Sequence, residues 1–374
     1  MIAGMVGDLA SISAGPRARP DSLPRHRAFA PNLQNQFNPR RNHLSSIRLV
    51  LSVTVVLAHA MDLGFSHQPT IAGTQVGDLA VDAFFVLSGF LLTGSYLRLG
   101  SIRRYVWHRF LRIMPGFWVC LLVTALLVAP AIAWMQGRSP GSVFTGERSA
   151  FDFLIADSML LMREFGISGL PLNVPAEGVM NGSLWTLFYE AICYLTVIGL
   201  GIIGALRRWP RLTLAVVVLL WSVTVINASG FQIVTQERLL RFTLMFLIGA
   251  VMFLYARQVP IQGRLAVLSL LVLGMSLVLL PDYRALAAPA FAYLCLWFAV
   301  VYPPKKVPVS DYSYGIYVYH WPVLQLLVVA GASELGEPWY IAIGLALALG
   351  AAFVSWRLVE RPCLRFKDAA WVTG

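Results

Sequence analysis

The stretch "SSIRLVLSVTVVLAHAMDL", residues 45–63, decides how the chain is read. It is long and apolar enough for a helix to cross the roughly 30 Å of bilayer hydrocarbon, a task for about 20 residues. Yet it carries Arg48 near one end and His59 near the other. The rest of the 374 residues share its character, with 58% hydrophobic and only 13% charged positions and a mean hydropathy of +0.70. That composition predicts an all-α, polytopic integral membrane protein. Ten apolar runs fall at about 47–65, 79–97, 113–134, 183–204, 212–230, 239–256, 265–281, 285–302, 312–332 and 339–358. Only Asp282, Tyr283 and Arg284 separate the seventh from the eighth, and merging those two would leave nine.

Lys and Arg in short connections resist translocation, so their distribution sets orientation. With ten spans and the N-terminus inside, the inner segments hold 23 of the 29 basic residues and the outer loops 6. Both termini are therefore expected in the cytosol and the protein in the inner (plasma) membrane. Residues 1–44 read as a basic cytosolic tail, 45–366 as the transmembrane domain with an external loop at about 135–182, and 367–374 as a cytosolic tail. The first residues lack the charged region and cleavage site of a signal peptide. The net charge of +11 sits at the inner edges of spans, where it meets membrane lipids, and excludes a nucleic-acid surface. Cys120, Cys193, Cys295 and Cys363 lie singly, without ligand spacing, and predict neither disulfide nor metal.

Two short patterns carry no function. Gly199, Gly201 and Gly204 spell GxGxxG inside an apolar run with no strand before it, and helix packing accounts for them. Asn181-Gly-Ser and Asn227-Ala-Ser are glycosylation sequons by chance.

The intramembrane ionisable residues are the candidates for function, because each costs several kcal/mol unless it faces a cavity or a partner. Arg48 and His59, eleven residues apart, share one helix face and lie roughly 16 Å apart along it. Arg48 can instead snorkel to lipid phosphate and His59 bond a neighbouring helix. Glu190 falls at nearly the depth of His59, as a carboxylate must to orient a histidine base. Asp82 competes for that task, and His320 reads as a hydrogen-bonded core histidine. In "RRYVWHRFLRIMP", Arg104, His108 and Arg112 stand at fourfold spacing with Arg109 beside them, a basic interfacial helix. It serves either as a lipid anchor or as a phosphate clamp for a cytosolic anionic cofactor. An anion transporter fits the same arrangement.

The residues then resemble the membrane acyltransferase family 3 over nearly all of 42–366. "NHLSSIR" followed ten residues later by His59 resembles its opening signature, and "VDAFFVLSGFLLT", with Asp82, Ser88, Gly89 and Phe90, its second motif. Arg109, Arg112 and Pro115 match RxxRIxP; "NGSLWTLFYEAICYL" matches SLWTLxxE with Glu190 as its acid; "YSYGIYVYHWPV" and "VERP", with Glu360, resemble the closing motifs. An acidic residue often stands three before the opening Arg in the family, where this chain has Ser45. Many members also carry a fused extracytoplasmic hydrolase-like domain, which this chain lacks, so it is expected to act alone or with a separate polysaccharide-biosynthesis partner.

The resemblance implies acyl-CoA, usually acetyl-CoA, as donor and a hydroxyl of a carbohydrate as acceptor, such as an exopolysaccharide, a lipopolysaccharide or a Nod-factor sugar. Macrolides and other small molecules are the alternative acceptors, and a transporter of an anionic or lipid-linked sugar is the alternative class. Under this reading Arg109 and Arg112, with Arg48, hold CoA phosphates. His59, oriented by Glu190 or Asp82, takes the acceptor proton. Ser183, Trp185 or Tyr189 supply oxyanion donors, and His320 joins them as a substrate-side candidate.

Overall fold

The computed structural model describes residues 31–38, 41–301 and 311–369. Most of the basic N-terminal tail, Lys305, Lys306 and the last five residues lie outside the described residues. A short helix α1 (Leu33–Gln36) leads into α2 (Leu44–Phe65), which Ser66 ends in the left-handed conformation. A two-residue hairpin, β1 (Thr70–Ile71) against β2 (Thr74–Gln75), turns the chain into α3 (Val76–Leu99). Ser101 caps α4 (Ile102–Val123), which continues through a π turn into α5 (Ala129–Met135).

After α6 (Ala150–Asp157) come α7 (Thr186–Ile202), α8 (Pro210–Ala228) and α9 (Glu237–Leu254). The remaining helices are α10 (Gly263–Leu279), α11 (Arg284–Val300), α12 (Ser313–Val329), α13 (Glu337–Ser355) and, past a second π turn, α14 (Arg361–Leu364).

The protein is helical, as expected, and each of the ten apolar runs holds a helix. Five helical stretches are long and apolar enough to cross a membrane: Leu44–Phe65, Val76–Leu99, Ile102–Met135, Pro210–Ala228 and Glu337–Asp368. The helices at Thr186–Ile202, Gly263–Leu279 and Arg284–Val300 are apolar but shorter, and α9 carries Arg238 and Arg241 in its first turns. The seventh and eighth runs stay separate because Leu280 is extended and Pro281 follows it.

Two packing features place the motifs. A Cβ on Gly89 would lie 1.8 Å from the Phe246 carbonyl oxygen, and one on Gly249 would lie 2.0 Å from that of Val86. Here α3 and α9 touch backbone to backbone, so the glycine of the second motif lets two helices meet. The segment between α5 and α7 is folded rather than loose. Gln136 exchanges hydrogen bonds with Leu172 at 2.7 and 3.0 Å, and Gln325 of α12 donates to the carbonyls of Ala176 and Val179. Asn181, one of the sequon asparagines, is fully buried and donates to the Val318 carbonyl at 2.9 Å. Gly201, of the GxGxxG pattern, lies against Tyr96.

Candidate active site

Helices α2 and α12 run parallel, because Arg48 and His59 on one meet Asp311, just before the other, and His320 within it. The shared face expected of Arg48 and His59 is therefore real, and it turns toward α12. His59 Nδ1 lies 2.7 Å from His320 Nε2, with the ring planes within 3° of parallel. His320 is fully buried, and its Nδ1 is 3.1 Å from the Ile316 carbonyl oxygen. A carbonyl only accepts, so His320 carries its proton on Nδ1 and presents the Nε2 lone pair to His59. His59 must then donate from Nδ1, which leaves the lone pair of its Nε2 free to accept a proton. Trp321 packs edge-on against the His59 ring at 4.8 Å between centroids.

This corrects the expectation that a carboxylate orients His59. Glu190 instead accepts a hydrogen bond from the Tyr194 hydroxyl. Asp82 is fully buried and saturated elsewhere. Its Oδ1 accepts from Arg241 Nε at 2.7 Å, and its Oδ2 accepts from the Tyr283 hydroxyl and Arg284 Nε, each at 2.7 Å. His320 is a bonded core histidine as expected, but the residue it bonds is His59.

The three arginines do not converge either. Arg112 reaches Asp311 at 2.7 Å and Glu360 at 3.6 Å, while Arg48 shares the same Asp311 oxygen at 3.2 Å. Burial would raise the Asp311 carboxyl, but the guanidinium groups of Arg48 and Arg112 hold it well below the usual carboxylate range. Two guanidinium groups thus face two carboxyl groups in one cluster. Arg109 lies apart, in a groove between α4 and α7.

Of these arginines, only Arg48 lines the internal cavity that α2, α3, α7 and α12 enclose together with Ser88, Thr186, Glu190 and Tyr317. Its volume is about 60 Å³, room for a few waters. Tyr317 separates it from the histidines. The Tyr317 ring touches His320 at 6.0 Å between centroids, and its hydroxyl is 2.5 Å from Thr186 Oγ1.

The other three candidates are held in place by their neighbours. Ser183 Oγ lies 2.8 Å from Asn181 Oδ1 and 3.1 Å from the Tyr317 carbonyl oxygen. The guanidinium of Arg238 stacks over Trp185 at 4.5 Å, and Tyr189 packs against Trp185 and Phe242. A Cβ on Gly182 would strike the Trp321 ring at 2.5 Å, so the "NGS" segment fits closely around the half of α12 that bears His320. Sequence reasoning missed Thr186 and Tyr317 as cavity residues, although both stand inside quoted motifs. Among the described residues no group of three or more His, Cys, Asp or Glu side chains could hold a metal ion.

The fold and site define an apolar, helical membrane protein with a paired-histidine centre beside a cavity that Arg48, Glu190 and two phenylalanines line. The acyltransferase domain model matches residues 42–357, and the chain belongs to that acyltransferase family. It is 27% identical to Nodulation protein 10 of Rhizobium leguminosarum bv. viciae, over 88% of this chain and 95% of that one. It is 25% identical to the O-acetyl transferase of Shigella phage Sf6, over 86% and 96%. It is 26% identical to the exopolysaccharide production protein ExoZ of Rhizobium meliloti strain 1021, over 80% and 93%. No solved structure matches the chain.

Proposed function

We propose that the protein moves an acyl group, acetyl in the simplest case, from cytosolic acyl-CoA to a hydroxyl of a carbohydrate acceptor. The names of the relatives support the acetyl group and the polysaccharide acceptor. The observation that carries the chemistry is the tautomer argument: His320 holds the proton of His59 on Nδ1 and leaves Nε2 as a base.

His59 Nε2 takes the proton of the acceptor hydroxyl as its oxygen bonds to the thioester carbonyl carbon. The resulting imidazolium keeps its Nδ1–H on His320, as a buried acceptor does in other histidine-centred sites. When the tetrahedral centre collapses, the C–S bond breaks and His59 returns the proton to the departing thiolate. The paired hydroxyls of Thr186 and Tyr317, which line the cavity, are the donors offered to the oxyanion. Arg48 meets the donor at the inner end of the cavity, and Arg112 positions it through Asp311. Ser183 shapes the site through the Tyr317 carbonyl, Glu190 lines the cavity, and Trp185 and Tyr189 pack behind it against Phe242.

Ten crossings with both termini in the cytosol complete the proposal. Its support is the excess of basic residues at one set of connections and the pairing of like ends. Arg48, Asp311, Arg112 and Glu360 meet at one end, and Asp82, Arg241 and Arg284 meet toward the other.

The test is thiol release from acetyl-CoA by the purified protein in nanodiscs, with and without oligosaccharide acceptors. Slow release that an acceptor accelerates is expected. A folded protein that neither binds acetyl-CoA nor releases thiol contradicts the proposal.

A further inference from the structure

On the side of the bundle, α4 and α7 leave a groove of about 210 Å³. Its walls are hydrocarbon, with Phe110 and Ile113 on one side and Leu195 and Ile198 on the other. Three of its lining residues are polar, Tyr105, Arg109 and Tyr194, and Tyr194 is bonded to Glu190. The Tyr105 hydroxyl and Arg109 Nε are both buried, and neither has a hydrogen-bond partner among the described residues. Tyr105 is wholly buried, in a position where phenylalanine would fill the same space without leaving a polar atom unsatisfied.

Such donors call for an acceptor that the described residues do not supply. The walls call for a slender apolar chain, and the guanidinium calls for an anion. Both donors stand one helical turn apart near the start of α4, just past Arg103 and Arg104, which mark the headgroup level of a membrane helix. We infer that the groove is a binding site for one membrane phospholipid. One acyl chain lies between α4 and α7, and phosphate or ester oxygens accept hydrogen bonds from Tyr105 and Arg109.

The site also touches the reaction cavity. Tyr194 lines the groove and donates its hydroxyl to Glu190, which lines the cavity. The Tyr194–Glu190 pair is the partition between the two.

The inference is tested without any activity measurement. The purified protein is stripped of lipid in detergent and titrated with short-chain phosphatidylglycerol, and bound lipid is counted by mass spectrometry of the intact protein. The wild type should bind one lipid in preference to a neutral diacylglycerol of the same chain length. Tyr105→Phe, a change that keeps the packing, should bind at least fivefold more weakly. Ile198→Trp, which fills the groove, should abolish binding in protein that stays monodisperse. Equal binding by wild type and Tyr105→Phe would overturn the assignment, as would equal binding of phosphatidylglycerol and diacylglycerol.

Discussion

Asp82 and His59 are both polar groups inside apolar helices, and the sequence offers them as partners in one site. The structure separates them by how fully each is satisfied. Both oxygens of Asp82 are bonded, to two guanidinium groups and a phenol, and no part of it reaches solvent. His59 is half-buried, has one nitrogen fixed and keeps the other available. A saturated buried ion fastens α3, α9 and α11 together, whereas a group fixed at one end and open at the other can do chemistry. The contrast separates structural from reactive polar groups better than depth in the membrane does.

The largest effect is expected at the open group. His59→Ala should lower turnover by about a hundred- to ten-thousandfold while the protein elutes and melts as the wild type does. Asp82→Asn should do the reverse. It leaves Arg241 and Arg284 without their shared counter-charge, which costs about 3–5 kcal/mol, seen as a lower thermal midpoint in detergent. The remaining folded fraction should turn over near the wild-type rate. A stable but inactive Asp82→Asn protein would erase the distinction.

A smaller loss is expected from Gly89→Ala, about 1–3 kcal/mol, because its Cβ must push Phe246 and α9 aside. Unfolding should register this before activity per folded molecule changes.

The smallest effect concerns pH. Asp157, buried at the end of α6 in the segment between α5 and α7, is pushed up from 3.8 to about 6, chiefly by burial. Its Oδ1 accepts from the Arg163 and Glu164 amides, and its Oδ2 is unpartnered among the described residues. The folded state therefore holds the proton more tightly. The stabilisation is complete below 3.8 and fades as pH rises through about 6. Asp157→Asn should flatten that slope, and thermal midpoints across this range check it.

Most of the fold was legible because a membrane helix announces itself by length and apolarity. Arg48 and His59 were correctly placed on one face, since eleven residues make nearly three full turns. Their partners were not legible, because sequence fixes the height of a residue in a helix but not which neighbour it faces. Glu190 matched His59 in height and still bonded Tyr194. Arg241 and Arg284 carried a usable signal. Both stand at the start of a helix entered from the same side as the one bearing Asp82, and matching charges by end would have found them. Gly182 gave none, because only the Trp321 ring, far along the chain, explains it.

The central claim is that His320 sets the tautomer of His59, and the kinetics of two substitutions at His320 test it most directly. Leucine cannot accept the His59 proton, whereas the oxygen of a glutamine amide can. With both proteins folded, His320→Leu should lose about a hundredfold in kcat with KM for acetyl-CoA unchanged, and His320→Gln should recover part of the loss. If His320→Leu turns over like the wild type with the same pH profile, the paired histidines are packing alone and the account of the base is wrong.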